Sequence, residues 1–496
     1  MIALQQSSAF GAFKQAAIIS SVVLGIFSTS YSFAQTEPTQ SEPASEQEAL
    51  IEEGRYLAIA SDCTACHTMP EGGEPFAGGY NIVSPLGDIR ATNITPSTSA
   101  GIGNYTQEEF ARALREGVRA DGAYLYPAMP YTAYTQLTDE DVAALYAYFM
   151  HDVAPVDKQV TDTELPFPFN IRMSMAVWNA LFLEEGPFEA DPAQSDQVNR
   201  GAYLVNGPAH CSTCHTPRNM LMAERESQFL GGAYLEAWYA PNITSDDISG
   251  VGGWRDEELI QFLRTGHVEG KGQAGGQMAE AIENSFQYLT DDDISAIVAY
   301  LREVPAIRDE QQDQPAYAFG EAQNLEPTLR GTAEHDKIDS LDTGEKLFSG
   351  SCASCHQPSG GGSGQQYYPQ LFNNTATGGK NAANLIAAIV YGIDREVGDE
   401  AFFMPHFSKG SMINELSNDD VAAISNYVLQ QYGNPALEVT SADVAKAREG
   451  GEKPLLARIQ PFIIWIMLAI AVLLAALVIW LIVRHCSKRR KRTVRA

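Results

Sequence analysis

Cys63-Thr64-Ala65-Cys66-His67, Cys211-Ser212-Thr213-Cys214-His215 and Cys352-Ala353-Ser354-Cys355-His356 are three copies of one five-residue pattern in a chain of 496 residues. They take six of its seven cysteines. Cys-x-x-Cys-His is the attachment sequence of c-type haem. Two thiols one helical turn apart can each bond a vinyl group, and the adjacent imidazole then lies under the iron as proximal ligand. Exported cysteines without such a group would pair as disulfides, and a zinc site would need further ligands at fixed spacing. With 7 Cys and 9 His in the whole chain, three copies do not arise by chance. The pattern predicts three covalently bound haem c groups, attached through Cys63, Cys66, Cys211, Cys214, Cys352 and Cys355 and ligated by His67, His215 and His356.

The copies recur at intervals of 148 and 141 residues, and more than the motif repeats. A helix-like segment opens each unit: Gly54-Arg55-Tyr56-Leu57, Gly201-Ala202-Tyr203-Leu204 and Gly344-Glu345-Lys346-Leu347. In the first two units Gly78-Gly79 answers Gly231-Gly232, and Asn93-Ile94-Thr95 answers Asn242-Ile243-Thr244. Tyr105 or Trp254 follows each Asn by twelve residues, ahead of an amphipathic helix ending at Gly117 or Gly266; Leu385 to Gly392 is the counterpart in the third unit. Each unit closes with a helix capped by Thr138, Thr290 or Ser417, with an acid three residues later, a capping box with Asp in place of Glu. Such units are mostly helical, with long loops around the haem.

A haem held by one His needs a second axial ligand for simple electron transfer, and a thioether raises the potential. Met129, Met278 and Met404 each lie twelve residues after the Gly that ends the middle helix, a shared register that marks them as the sixth ligands. Taken singly, such a Met reads as core filling. His267 and His406 are rivals as iron ligands, and Met412 could displace Met404. Met220 and Met222 lie too close to His215 to cross the haem. His151, His210, His335 and His485 share no register and read as surface or packing residues.

The two ends carry an address and an anchor. Residues 1–34 hold one base, an apolar stretch and Ser32-Phe33-Ala34, as a signal peptide does, and 35–50 read as a flexible tether. Residues 461–483 are apolar and long enough to cross a bilayer, with Trp465 and Trp480 near the ends. The basic residues of 484–496 then place the C-terminus in the cytoplasm and the bulk in the periplasm, on a single-pass helix in the cell inner membrane. Between these ends stand 25 bases against 62 acids, a balance of −37, which excludes a nucleic-acid binder. Haem domains are expected at 51–155, 200–305 and 341–434. Residues 156–199 form an aromatic-rich segment that packs between units, while 306–340 and 435–460 read as linkers, the former extended enough to let the third unit sit apart.

The chain resembles the three-haem cytochrome c subunit of bacterial membrane-bound dehydrogenases acting on alcohols, aldehydes, gluconate, sorbitol or fructose. The most specific stretch runs from Leu165 through Trp178-Asn179 and Gly186-Pro187-Phe188 to Asn199-Arg200-Gly201-Ala202-Tyr203-Leu204-Val205 and on to Asn219. Pro127-Ala128-Met129-Pro130-Tyr131 and Met404-Pro405-His406-Phe407 also resemble that family. The resemblance implies a partner chain that oxidises the substrate, with electrons passing to ubiquinone or a terminal oxidase.

The expected fold is therefore mainly α: three tandem class I cytochrome c-like haem domains plus one C-terminal transmembrane helix. No nucleophile–base pair or nucleotide-binding fingerprint stands out, so no catalytic residue for an organic substrate is expected. Two rivals keep the same domains. One is a subunit of a respiratory oxidase complex, and the other is a multihaem peroxidase or reductase with an open iron.

Overall fold

The computed structural model describes residues 45–70, 72–324, 343–364 and 367–493. The expected signal peptide, His335 and much of the 306–340 linker lie outside the described residues. One arrangement of helices occurs three times. An opening helix crosses a closing helix: Glu46–Ala60 on Asp139–His151, Asp196–Asn206 on Asp291–Glu303, and Gly344–Ser351 on Asn418–Tyr432. A short helix bearing each Cys-x-x-Cys-His follows the opening helix, and a middle helix (Gln107–Glu116, Asp256–Thr265 or Ala383–Tyr391) completes each set. We call these sets regions one, two and three.

At each crossing the opening helix presents a glycine, and the need for it is steric. A Cβ on Gly54 would lie 1.9 Å from the Ala144 carbonyl oxygen, one on Gly201 1.9 Å from that of Ala296, and one on Gly344 2.4 Å from that of Ala423. Separate apolar cores form around the crossings. Leu57, Leu145 and Phe149 anchor the first, Leu204, Ile294 and Ile297 the second, and Phe348, Val421 and Leu429 the third.

The closing helices start as their sequences require. Thr138, Thr290 and Ser417 accept from the backbone N–H of Asp141, Asp293 and Asp420 at 3.1, 3.2 and 3.1 Å. The reciprocal half of the box forms only in region three, where Asp420 accepts from the Ser417 N–H at 2.9 Å. In the other two regions the carboxylate is taken by the neighbouring region. The Tyr203 hydroxyl donates to Asp141, and the Tyr56 hydroxyl donates to Asp293 at 2.5 Å. Arg200 grips Asp293 from its Nε and Nη2, both at 2.7 Å.

Several expected boundaries shift. The opening helix of region one begins at Glu46, inside the stretch expected to be a tether, because Ser45 and Glu48 form a complete capping box. Residues 306–324 are not a loose connector. The Ile307 N–H donates to Thr244 Oγ1 at 3.1 Å, and the Tyr317 hydroxyl donates to the Gly253 carbonyl at 2.8 Å. Further along, the Phe319 carbonyl accepts from the Asn373 N–H at 2.7 Å, so this stretch ties region two to region three. Residues 435–460 include the helix Ser441–Arg448, whose Val444 is fully buried in the third core. The segment 156–199 packs against region one, with the Tyr126 hydroxyl donating to the Phe169 carbonyl (2.8 Å) and the Tyr131 hydroxyl to Asn179 Oδ1 (2.8 Å).

Small antiparallel ladders stand where the sequence suggested only loops. Val118 bridges Tyr124, His267–Val268 pairs with Gly272–Gln273, and Ile393–Val397 pairs with Glu400–Met404. All three follow the glycine that ends the middle helix, and at Gly117 and Gly266 it takes a left-handed φ (65° and 69°) that turns the chain back.

At the far end, Leu455–Ile459, a turn at Gln460–Phe462 and the helix Ile463–Thr493 follow one another. Leu455–His485 is long and apolar enough to cross a membrane, and its apolar side chains face outward rather than into a protein core.

Candidate haem sites

Each Cys-x-x-Cys-His segment folds as one short helical turn, which sets its two cysteines and its histidine on one side. All three histidines are fixed in the same way. Nδ1 of His67 donates to the Thr92 carbonyl at 2.6 Å, that of His215 to Pro241 at 2.7 Å, and that of His356 to Pro369 at 2.9 Å. A ring that commits its Nδ1 proton to a carbonyl keeps Nε2 as a lone pair with a fixed direction, the usual arrangement of a metal-bound histidine. Burial lowers the pKa of all three rings, against the smaller opposing pull of the carbonyl, so the neutral ligand form prevails at neutral pH.

The repeated Asn-Ile-Thr explains how two of those carbonyls are held. Thr92 and Pro241 stand immediately before Asn93 and Asn242. Asn93 Oδ1 accepts from the Thr95 N–H (2.9 Å) and hydroxyl (2.7 Å), and Asn242 accepts from Thr244 at 2.8 and 2.7 Å. The amide nitrogens of the two asparagines then hold the outgoing chain at the Val156 carbonyl (2.8 Å) and the Ile307 carbonyl (2.7 Å). The glycine pairs align one residue differently from their order in sequence. Gly78 N–H donates to the His67 carbonyl at 2.8 Å and Gly232 N–H to that of His215 at 2.7 Å, so Gly78 matches Gly232, not Gly231.

The three methionines stand at the cores of their own regions. Met129 packs against the core that Cys63 packs against, Met278 against that of Cys211, and Met404 against that of Cys352. Their backbones differ. Met129 lies in a turn whose N–H donates to Tyr126, Met278 in the first turn of the helix Gln277–Asn284, and Met404 at the end of a strand. Equal spacing from the glycine thus coexists with three local conformations.

Met412 is 75% exposed and Met220 68% exposed. His267 lies in a strand with its ring stacked on Phe402 at 6.4 Å between centroids. His210 packs edge-on against Tyr134 of region one (5.7 Å).

Burial pushes the Cys63, Cys211 and Cys352 thiols up to about 12, so the free thiols stay protonated at neutral pH. Cys66 is also pushed up to about 12, by burial first, then by Asp62, Glu280 and Cys214. The Met278 helix of region two packs against Cys63–His67 of region one.

The residues present suit a haem. In each region a directed imidazole follows a cysteine that packs on the same core as a methionine, and a buried cation stands apart from these. Arg395 of region three is fully buried; one Nη donates to the Ala274 carbonyl of region two at 2.9 Å, its guanidinium lies 4.6 Å from the Phe402 ring centroid, and its Nε and other Nη have no hydrogen-bond partner among the described residues. Sequence reading missed Arg395, and no local pattern marks it. The Tyr56–Asp293 and Tyr203–Asp141 pairs were findable: regions one and two share Gly-x-Tyr-Leu, whereas region three carries Lys346 at that place.

The family described as Cytochrome c matches residues 51–151, 198–305 and 341–431. The fructose dehydrogenase cytochrome subunit of Gluconobacter japonicus is 45% identical over 467 residues, covering 92% of this chain and 95% of that protein. The cytochrome c subunit of the quinone alcohol dehydrogenase of Gluconobacter oxydans (strain 621H) is 37% identical over 417 residues, 82% of this chain and 83% of the relative. The gluconate 2-dehydrogenase cytochrome c subunit of Pantoea cypripedii is 37% identical over 426 residues, 81% and 90% of the two chains.

Proposed function

The chain belongs to the cytochrome c family, whose members carry covalently bound haem c, and from that premise we propose that it is a three-haem electron-transfer subunit of a membrane-bound dehydrogenase. It takes electrons from a catalytic partner chain and delivers them to ubiquinone or a terminal oxidase. The names of its relatives, cytochrome subunits of fructose, alcohol and gluconate dehydrogenases, support the partner. What supports the count of three is the repeat itself: in each region a histidine held through Nδ1 follows a cysteine that packs on the same core as a methionine.

Bound haem supplies a one-electron ferric/ferrous couple at each site. The polypeptide does the rest. Cys63 and Cys66, Cys211 and Cys214, and Cys352 and Cys355 would hold it through thioether bonds. His67, His215 and His356 would ligate the iron, their orientation fixed by the carbonyls of Thr92, Pro241 and Pro369. Met129, Met278 and Met404 would supply the second ligand, a thioether that favours a high potential. Iron so ligated would leave no position for a substrate, which fits electron transfer and not peroxidase chemistry. The helix 461–483 confines the chain to the inner membrane, with the haem regions periplasmic and the basic tail cytoplasmic. The excess of acid suits docking to positive patches on a partner, an association that salt weakens.

Purification in mild detergent tests this reading. Mass spectrometry should find a dehydrogenase chain attached, and haem determination about three haems per chain. Recovery with oxidase subunits, or fewer haems, would overturn it.

A further inference from the structure

The helix Ser174–Phe182 is held firmly on one side. Asn179 Nδ2 donates to the Glu116 carbonyl at 2.9 Å, Trp178 Nε1 donates to the Leu221 carbonyl at 2.9 Å, and the Trp178 ring meets Tyr131 edge-on at 6.3 Å. Just before it, Arg172 lies over the Tyr126 ring at 4.7 Å and donates to the Tyr124 carbonyl at 3.0 Å. This element is docked, not loose.

Its other side is apolar and open. Met173, Val177 and Leu181 recur every fourth residue, so they form one stripe, and they are 67%, 65% and 64% exposed. The helix itself contains no charged residue. Phe167 and Ile171 extend the apolar surface on the N-terminal side, and Met220 extends it beyond Trp178. A contiguous exposed apolar surface of this kind marks an interaction face.

A further contact says which face. Gln460 Nε2 donates to the Phe167 carbonyl at 3.2 Å, and Gln460 lies three residues before the long apolar helix Ile463–Thr493 begins. The open stripe therefore stands beside the point where the chain leaves for the bilayer. We propose that the Phe167–Leu181 surface is a second membrane contact, seated in the lipid interface of the leaflet on the haem-bearing side. The inference rests on the reading of 461–483 as a membrane span. An uncharged apolar helix face lying along the interface is the ordinary form of such a contact. Its effect is orientational: a single helix leaves the attached regions free to tilt, and a second contact fixes which face of region one meets the membrane.

Photolabelling of the full-length holoprotein in phosphatidylethanolamine/phosphatidylglycerol vesicles carrying a diazirine on the acyl chain tests this. The expected result is label on peptides from 166–183 as well as from 463–483. The double substitution Val177→Asp, Leu181→Asp, at exposed positions, should lower the 166–183 label at least about fivefold and leave the 463–483 label and the haem spectrum unchanged. Label confined to 463–483 would overturn the second contact and leave the anchor standing. Loss of the 166–183 label when the dehydrogenase partner binds would overturn it in favour of a protein interface. Absence of label from both peptides would remove the anchor and the inference together.

Discussion

Gly201→Ala separates packing from helix propensity, because the two predict opposite signs. Gly201 lies inside the helix Asp196–Asn206, where alanine is favoured over glycine by about 1 kcal/mol. On that ground alone the substitution stabilises. The crossing says otherwise. The new Cβ would lie 1.9 Å from the Ala296 carbonyl oxygen and 2.5 Å from its carbon. A carbon–oxygen contact needs about 3.3 Å, so the two helices must part by about 1.4 Å. The atom in the way is backbone and cannot rotate aside. Overpacking costs about 1–3 kcal/mol, and so rigid an obstacle belongs at the top of that range. The net loss is then about 2 kcal/mol, a fall in melting temperature on the order of 10 °C for a region of this size. Circular dichroism on heating, with hydrogen exchange read separately on 196–206 and 291–303, follows it. Gly54→Ala should behave alike, and Gly344→Ala, with its 2.4 Å contact, should lose less. An unchanged or raised midpoint for Gly201→Ala would refute the crossing geometry.

Met129→Ala, Met278→Ala and Met404→Ala should each open one iron, so that the reduced protein binds about one carbon monoxide per chain where the parent binds almost none. Tyr56→Phe removes a hydrogen bond to the buried Asp293 carboxylate and Tyr203→Phe one to the half-buried Asp141 carboxylate, and each should cost about 1.5 kcal/mol at the contact between regions one and two, read by hydrogen exchange. Asp293→Asn should destabilise region two by about 2 kcal/mol at neutral pH, the partly exposed Arg200 holding the figure below that of a fully buried pair. Burial pushes the Asp293 carboxyl up, but the Arg200 and Tyr56 hydrogen bonds outweigh it and leave it below its ordinary value. Its contribution is therefore present above about pH 4 and lost as pH falls through the lower folded value, so the gap between variant and parent should close in acid.

The attachment motifs were legible because haem chemistry fixes residue types in one short, ordered run. The caps at Thr138, Thr290 and Ser417 were legible because capping is local. The shared register of Met129, Met278 and Met404 could be counted, but their three backbone conformations could not, since each depends on how long a ladder follows the glycine. Residues 306–324 and 435–460 looked like connectors because their composition is polar. Their order comes from contacts with distant residues such as Gly253, Asn373 and the Asn418–Tyr432 helix. Arg395 was invisible for the same reason: a lone arginine in a strand gives no sign that it is buried against another region.

The crossed Tyr56–Asp293 and Tyr203–Asp141 bonds join equivalent positions in opposite directions, which is the mark of an isologous contact. Regions one and two are thus related as the protomers of a pseudo-twofold dimer written into one polypeptide. A contact of that kind is closed, because each partner spends its face on the other and neither can recruit a further copy. A third unit has to be joined through different chemistry, and the guanidinium reaching across from residue 395 to a backbone carbonyl of region two is what that asymmetry looks like in side chains.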